Sequence, residues 1–89
     1  MEFEYDPNKS AANKDKHGID FEAAQAIWSD DGRIEIPATS QNESRSIAIG
    51  RIGEKLWACV YTWRGSTARL ISARRARKEE VELYEQDNG

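Results

Sequence analysis

Cysteine is nearly missing from this sequence: Cys59 is the only one in 89 residues, so no internal disulfide can staple the fold. It lies in the apolar run LWACV, where a small buried hydrophobe is expected, and no base or metal-ligand spacing accompanies it. Histidine is equally scarce, with His17 alone, and no cluster of His, Cys and carboxylates has the spacing of a metal site. The adjacent aspartates of SDDG (29–32) are too thin a signal for a cation and read as a turn. No apolar run approaches the roughly 20 residues that span a bilayer. The start, MEFEYDPNK, is acidic and lacks the apolar core of a signal peptide, so the expected compartment is the cytoplasm.

Present instead are three Trp, three Tyr and two Phe, which separate the chain from disordered sequences of similar charge. A chain of this length forms one domain, 1–89, and buries roughly two-thirds of its unfolded surface. The net charge of −3 conceals a division. Residues 1–32 hold eight acids against three lysines, 33–78 hold ten cations against three glutamates, and 79–89 hold five acids and no cation. Within the basic block, RGSTARLISARRARK (64–78) carries six cations and no carboxylate. Such clustering creates a local positive field, although the same arginines could simply pair with the acidic arms.

The pattern along the chain predicts an α+β domain in the order β-α-α-β-β-β-β-α. FEYD (3–6) reads as a strand. Asp6-Pro7 then caps and opens a helix that stops at His17-Gly18. Asp20 opens a second helix with Phe21, Ala24, Ile27 and Trp28 on one face. RIEI (33–36), closed by Pro37, is the next strand, followed by the polar loop ATSQNES. SIAIGR (46–51), KLWACVYTW (55–63) and TARLISAR (67–74) are joined by spacers short enough for antiparallel hairpins. RKEEVELYEQ (77–86) reads as a closing helix with Val81, Tyr84 and Leu83 inward. Strict alternation puts Arg45, Ile47, Ile49 and Arg51 on one face. In the last strand it sets Arg69, Ile71, Ala73 and Arg75 against Ala68, Leu70, Ser72 and Arg74.

Four segments, FEYDPNKSAANKDKHGIDFEAA, RSIAIGR, VYTWRG and RLISARRARKEEVELYE, occur in an order and spacing that resemble the BrnT family of toxins. That family is similar to the RelE-like toxins. The resemblance implies a RelE-like scaffold: an antiparallel sheet with two N-terminal helices and one C-terminal helix. It further implies a metal-independent endoribonuclease that needs no cofactor. The implied partners are RNA and a ribbon-helix-helix, BrnA-like antitoxin, in a heterotetramer around an antitoxin dimer. That complex would repress its own operon through operator DNA held by the antitoxin. One departure stands out. After ISARRA the family places Ser or Thr and a basic helix, whereas here Arg77 takes the cap position and Glu79, Val81 and Glu82 follow.

Metal-independent RNA cleavage needs activation of the 2′-hydroxyl, stabilisation of charge on phosphorus, and protonation of the 5′-oxygen. The planar fork of arginine suits the second task. By analogy with RelE-like enzymes, Arg51 and Arg74 are expected to stabilise the phosphate, helped by Arg45. The plain alternative is ion pairing with Glu35, Glu43 or Glu54. Tyr84 is either a core residue with a wet hydroxyl or a proton donor to the leaving oxygen. His17 could be an acid or base, but its place before a glycine cap suits a cation at a helix C-terminus. Arg64, Arg69, Arg75 and Lys14 are expected to contact RNA. Trp57 or Trp63, whichever is exposed, is expected to stack a base, with Trp63 the candidate. Two other functions fit the residues: a non-enzymatic member that only binds antitoxin, and a nucleic-acid-binding module unrelated to toxins.

Overall fold

The computed structural model describes residues 1–38 and 44–89; Glu43 and most of the ATSQNES loop lie outside them. The element order is β1 (Glu2–Glu4), α1 (Pro7–His17), α2 (Phe21–Ala24), a 3-10 segment (Gln25–Ser29), β2 (Ile34–Ala38), β3 (Arg45–Ile52), β4 (Lys55–Arg64), β5 (Thr67–Arg75) and α3 (Lys78–Asn88). This is the α+β arrangement expected from the sequence. The sheet runs β1-β5-β4-β3-β2. Its four long strands are antiparallel, and β1 adds to the β5 edge in parallel, pairing Glu2 with Thr67 and Glu4 with Arg69.

Local chemistry accounts for most element ends. The Asp6 carboxylate accepts from Asn8 N at 2.8 Å and Pro7 opens α1, while left-handed Gly18 closes it with its N–H on the Lys14 carbonyl. Asp20 caps α2 through Ala23 N at 2.8 Å. The second helix tightens into 3-10 geometry after Ala24, yet Phe21, Ala24 and Ile27 still bury one face. Gly53 and Gly65, both at φ +62°, open the two-residue hairpin turns after β3 and β4, where type II′ geometry favours glycine.

Helices cover both sheet faces. On one, α1, α2 and the 3-10 segment bury Ile19, Phe21, Ala24 and Ile27 against Ala48, Cys59, Tyr61, Ala68, Leu70 and Ala73. On the other, Tyr84 of α3 packs on Ile49 and Ala58. The polar helix α1 docks by hydrogen bonds rather than by apolar area. Ser10 Oγ accepts from Phe21 N at 2.9 Å, and the buried Asn13 amide bonds Ala73 O, Ala73 N and Ile19 O. Asn13 thus acts as the missing neighbour of β5 where β1 has ended.

Three sequence expectations need correction. Pro37 does not close β2; the strand continues to Ala38, because an edge strand tolerates a residue without an N–H. Alternation in β5 breaks at a bulge, where Val60 pairs with Ser72 but Tyr61 with Leu70, leaving Ile71 as the extra residue. Ala73 therefore joins Ala68 and Leu70 in the first core cluster. Leu83 is 42% exposed; the buried residues of α3 are Tyr84, as expected, and Glu80, which was not.

Candidate active site

The bulge decides where the arginines point. Arg74 emerges toward α3 and grips Glu80 with both prongs, Nη1–Oε1 at 2.7 Å and Nη2–Oε2 at 3.0 Å. Glu80 Oε1 also accepts the Arg77 backbone N–H at 2.7 Å, the carboxylate half of a capping box, in which the N3 side chain reaches back to the N-cap amide. Burial alone would push the Glu80 carboxyl up. The hydrogen bonds from Arg74 and from the Arg77 amide outweigh burial and hold it below its usual value. Arg74's partner is therefore Glu80, none of the three glutamates considered from sequence.

Arg51 sits at the exposed end of β3, beyond the start of β2, where no strand residue satisfies its N–H. Asp30 does so instead: its Oδ2 accepts Arg51 N at 2.7 Å. The same oxygen accepts the Tyr84 hydroxyl at 2.8 Å, and Oδ1 accepts Gly32 N at 2.8 Å. Burial works to raise the Asp30 carboxyl, but these donors together hold it below its usual value. Tyr84 is shifted upward, first by its bond to Asp30 and then by burial, so it keeps its proton. The Arg51 guanidinium lies 5.8 Å from the Tyr84 ring centroid and reaches the Glu54 carbonyl at 3.4 Å. It touches the backbone of Glu54, not its carboxylate.

Register divides the remaining sequence candidates between two ends of the sheet. Arg75 lies at the Arg51 end but on the α1 face, with its guanidinium 5.5 Å from the Trp57 ring centroid. Arg45 is six residues from Arg51 along β3, about 20 Å away at strand spacing. It belongs to the far end with Trp63, Arg64 and Arg69. Trp63 is 51% exposed and ends a row of edge-on rings, Phe3–Trp28–Tyr61–Trp63, with centroid separations of 5.0, 5.2 and 5.8 Å. Arg69 pairs with Glu4 at 2.9 Å. The Tyr61 hydroxyl donates to Glu35, and its pKa is raised, first by burial.

His17 and Lys14 lie on neither end. His17 closes α1 and lines a cavity of about 220 Å³ with Lys9, Lys16, Ile71 and Ser72. Lys14 Nζ turns back to the Gly18 carbonyl at 3.4 Å. Cys59 is buried, which pushes its thiol up to about 12. Asp30 was missed in the sequence, where SDDG signalled only a turn. Its partners Arg51 and Tyr84 are 21 and 54 residues away, and no local pattern announces them.

Fold and site together describe a small α+β protein with Arg51 and Arg75 exposed at one end of its sheet. The chain matches the family described as "Ribonuclease toxin, BrnT, of type II toxin-antitoxin system" over residues 5–80, and it belongs to that family. Asp30, Arg51, Arg74 and Glu80 fall inside the matched span, and Tyr84 follows it. Comparison with individually curated proteins returns no match. Among the described residues no helix is long and apolar enough to cross a membrane.

Proposed function

We propose that this chain cleaves RNA without a metal ion at the sheet end that carries Arg51. In this reading the 2′-hydroxyl attacks phosphorus and loses its proton, and the bond to the 5′-oxygen breaks as that oxygen is protonated. A 2′,3′-cyclic phosphate and a free 5′-hydroxyl remain. Arg51 stabilises the charge that builds on the phosphoryl oxygens. The observation that carries this reading is an exposed guanidinium held over the Tyr84 ring, with its backbone anchored by Asp30. A preorganised donor of this kind loses little on meeting the transition state. Arg74 enters with its fork already filled by Glu80, so a phosphate reaches it only in competition with that carboxylate. Arg75 extends the RNA-binding surface at this end, and Trp63 and Arg64, with Arg45 and Arg69, extend it at the far end of the sheet. No group of three His, Cys, Asp or Glu among the described residues could hold a metal, which is consistent with arginine as the charge stabiliser.

The same reading includes inhibition of translation in the cytoplasm. A ribbon-helix-helix, BrnA-like antitoxin neutralises the toxin in a heterotetramer around an antitoxin dimer, and the complex represses its own operon through operator DNA. The whole chain, 1–89, acts as one toxin domain.

A second reading is a member that keeps only antitoxin binding and co-repression. It is favoured by the Arg74–Glu80 pair and by the five acids of α3. One experiment separates the two: antitoxin-free protein is incubated with RNA, with and without EDTA, beside Arg51→Ala. Cleavage that survives EDTA and is lost in Arg51→Ala supports the ribonuclease. Cleavage abolished by EDTA and restored by magnesium overturns metal independence. No cleavage by the intact protein, with antitoxin binding retained, establishes the second reading.

A further inference from the structure

We propose that Asp30 is a positioning residue for Arg51, holding it directly at the backbone and indirectly, through Tyr84, at the guanidinium. The proposal rests on the ribonuclease reading and deepens it.

One carboxylate oxygen, Asp30 Oδ2, accepts two hydrogen bonds from elements far apart in the chain: the Arg51 amide of β3 and the Tyr84 hydroxyl of α3. The other oxygen accepts Gly32 N and closes the turn that delivers Asp30 to this place. Asn88 adds a brace, donating to the Gly32 carbonyl at 2.8 Å and so tying the end of α3 to the same turn. A carboxylate with this set of donors stays ionised and has little freedom to move.

The consequence for Tyr84 is specific. Its hydroxyl proton is engaged by Asp30, so in this geometry it is not free to protonate a leaving oxygen. Its ring instead lies beneath the Arg51 guanidinium, where the negative π-face attracts a cation. Arginine has many rotamers, and a phosphate bound to a free-swinging fork must first order it. Asp30 removes much of that freedom by fixing where β3 ends and which way the Tyr84 ring faces. The signal SDDG, read from sequence as a turn, is therefore a turn with a task.

The test is cleavage of a short defined RNA by antitoxin-free protein, comparing wild type with Asp30→Asn, Tyr84→Phe, the double variant and Arg51→Ala. Affinity for the uncleavable 2′-deoxy analogue and melting temperature are recorded for each. Asp30→Asn and Tyr84→Phe are each expected to lower kcat by about 10- to 100-fold, the usual effect of losing an orienting partner, with KM and analogue affinity little changed. The double variant is expected to be no worse than the worse single, because both act on one arginine. Should Asp30→Asn fail to fold, Tyr84→Phe carries the test, since it removes one hydroxyl and keeps the ring. If kcat is unchanged in both singles while Arg51→Ala is inactive, the proposal fails and the ribonuclease reading stands. If Tyr84→Phe is inactive and Asp30→Asn is not, Tyr84 is the proton donor and the proposal is overturned. Full activity in Arg51→Ala removes the reading itself, and the proposal with it.

Discussion

Replacing Arg74 by Ala leaves Glu80 as a carboxylate whose side chain is only 10% exposed, with the Arg77 amide as its one remaining hydrogen-bond donor among the described residues. Two charge-assisted hydrogen bonds disappear, each worth about 1.5–3 kcal/mol. Breaking a buried pair by removing one partner costs about 3–5 kcal/mol in deep interiors. Water reaches part of this pair, since the Arg74 side chain is 16% exposed, so the expected loss is about 2–4 kcal/mol. In a domain of this size that lowers the melting temperature by about 10–25 °C. Thermal unfolding followed by circular dichroism measures it directly. Arg74→Met with Glu80→Leu is expected to recover most of the loss, because apolar residues of similar volume replace buried ion pairs well. The acid limb gives a second readout. Glu80 is held below its unfolded value, so its stabilisation is complete above that value, near 4.5, and disappears as pH falls through the lower folded value. Glu80→Gln should flatten that limb. A melting shift below about 4 °C in Arg74→Ala, or strict additivity with Glu80→Ala, refutes the account. If it holds, lost toxicity in Arg74→Ala reports the docking of α3 as much as any contact with phosphate.

Further outcomes are expected elsewhere in the molecule. Cys59 should resist a disulfide reagent in the native state and react on unfolding, since it is buried with its thiol pushed up to about 12; rapid native labelling would contradict this. Trp63→Ala should weaken binding of an uncleavable RNA by about 1–3 kcal/mol, read by titration, whereas unchanged affinity removes Trp63 from the interface. His17→Ala should show itself first in melting temperature, by a few degrees at most. A cleavage loss as large as that of Arg51→Ala would instead bring His17 into the chemistry. Antitoxin should displace the same RNA analogue by covering the arginines; a stable ternary complex would show that it docks elsewhere.

The order of elements was legible because its signals are local. Asp6-Pro7, His17-Gly18, Asp20 and the two hairpin glycines each set a boundary through their own backbone preferences, and the three long strands announce themselves by composition. The family resemblance likewise needs only residues in order. The site did not follow from such signals. Along the chain, Arg45, Arg51, Arg69, Arg74 and Arg75 look like one basic block, but strand spacing places Arg45 about 20 Å from Arg51.

A single extra residue at Ile71 reverses the facing of everything after it, so Arg74 meets α3 and Arg75 meets Trp57. Alternation can be read from a strand, whereas a bulge depends on how its neighbour pairs. The roles of Asp30 and Glu80 are decided in the same way. Each carboxylate looks solvent-bound in the sequence and becomes a junction once distant donors converge on it. Hydrogen bonds across 21, 54 and 60 residues, to Arg51, to Tyr84 and between Asn13 and Ala73, exist only after the sheet has closed the distance. Boundaries are encoded in neighbours along the chain, but charge partners are chosen by packing. That choice leaves Arg51 exposed and Arg74 engaged by Glu80.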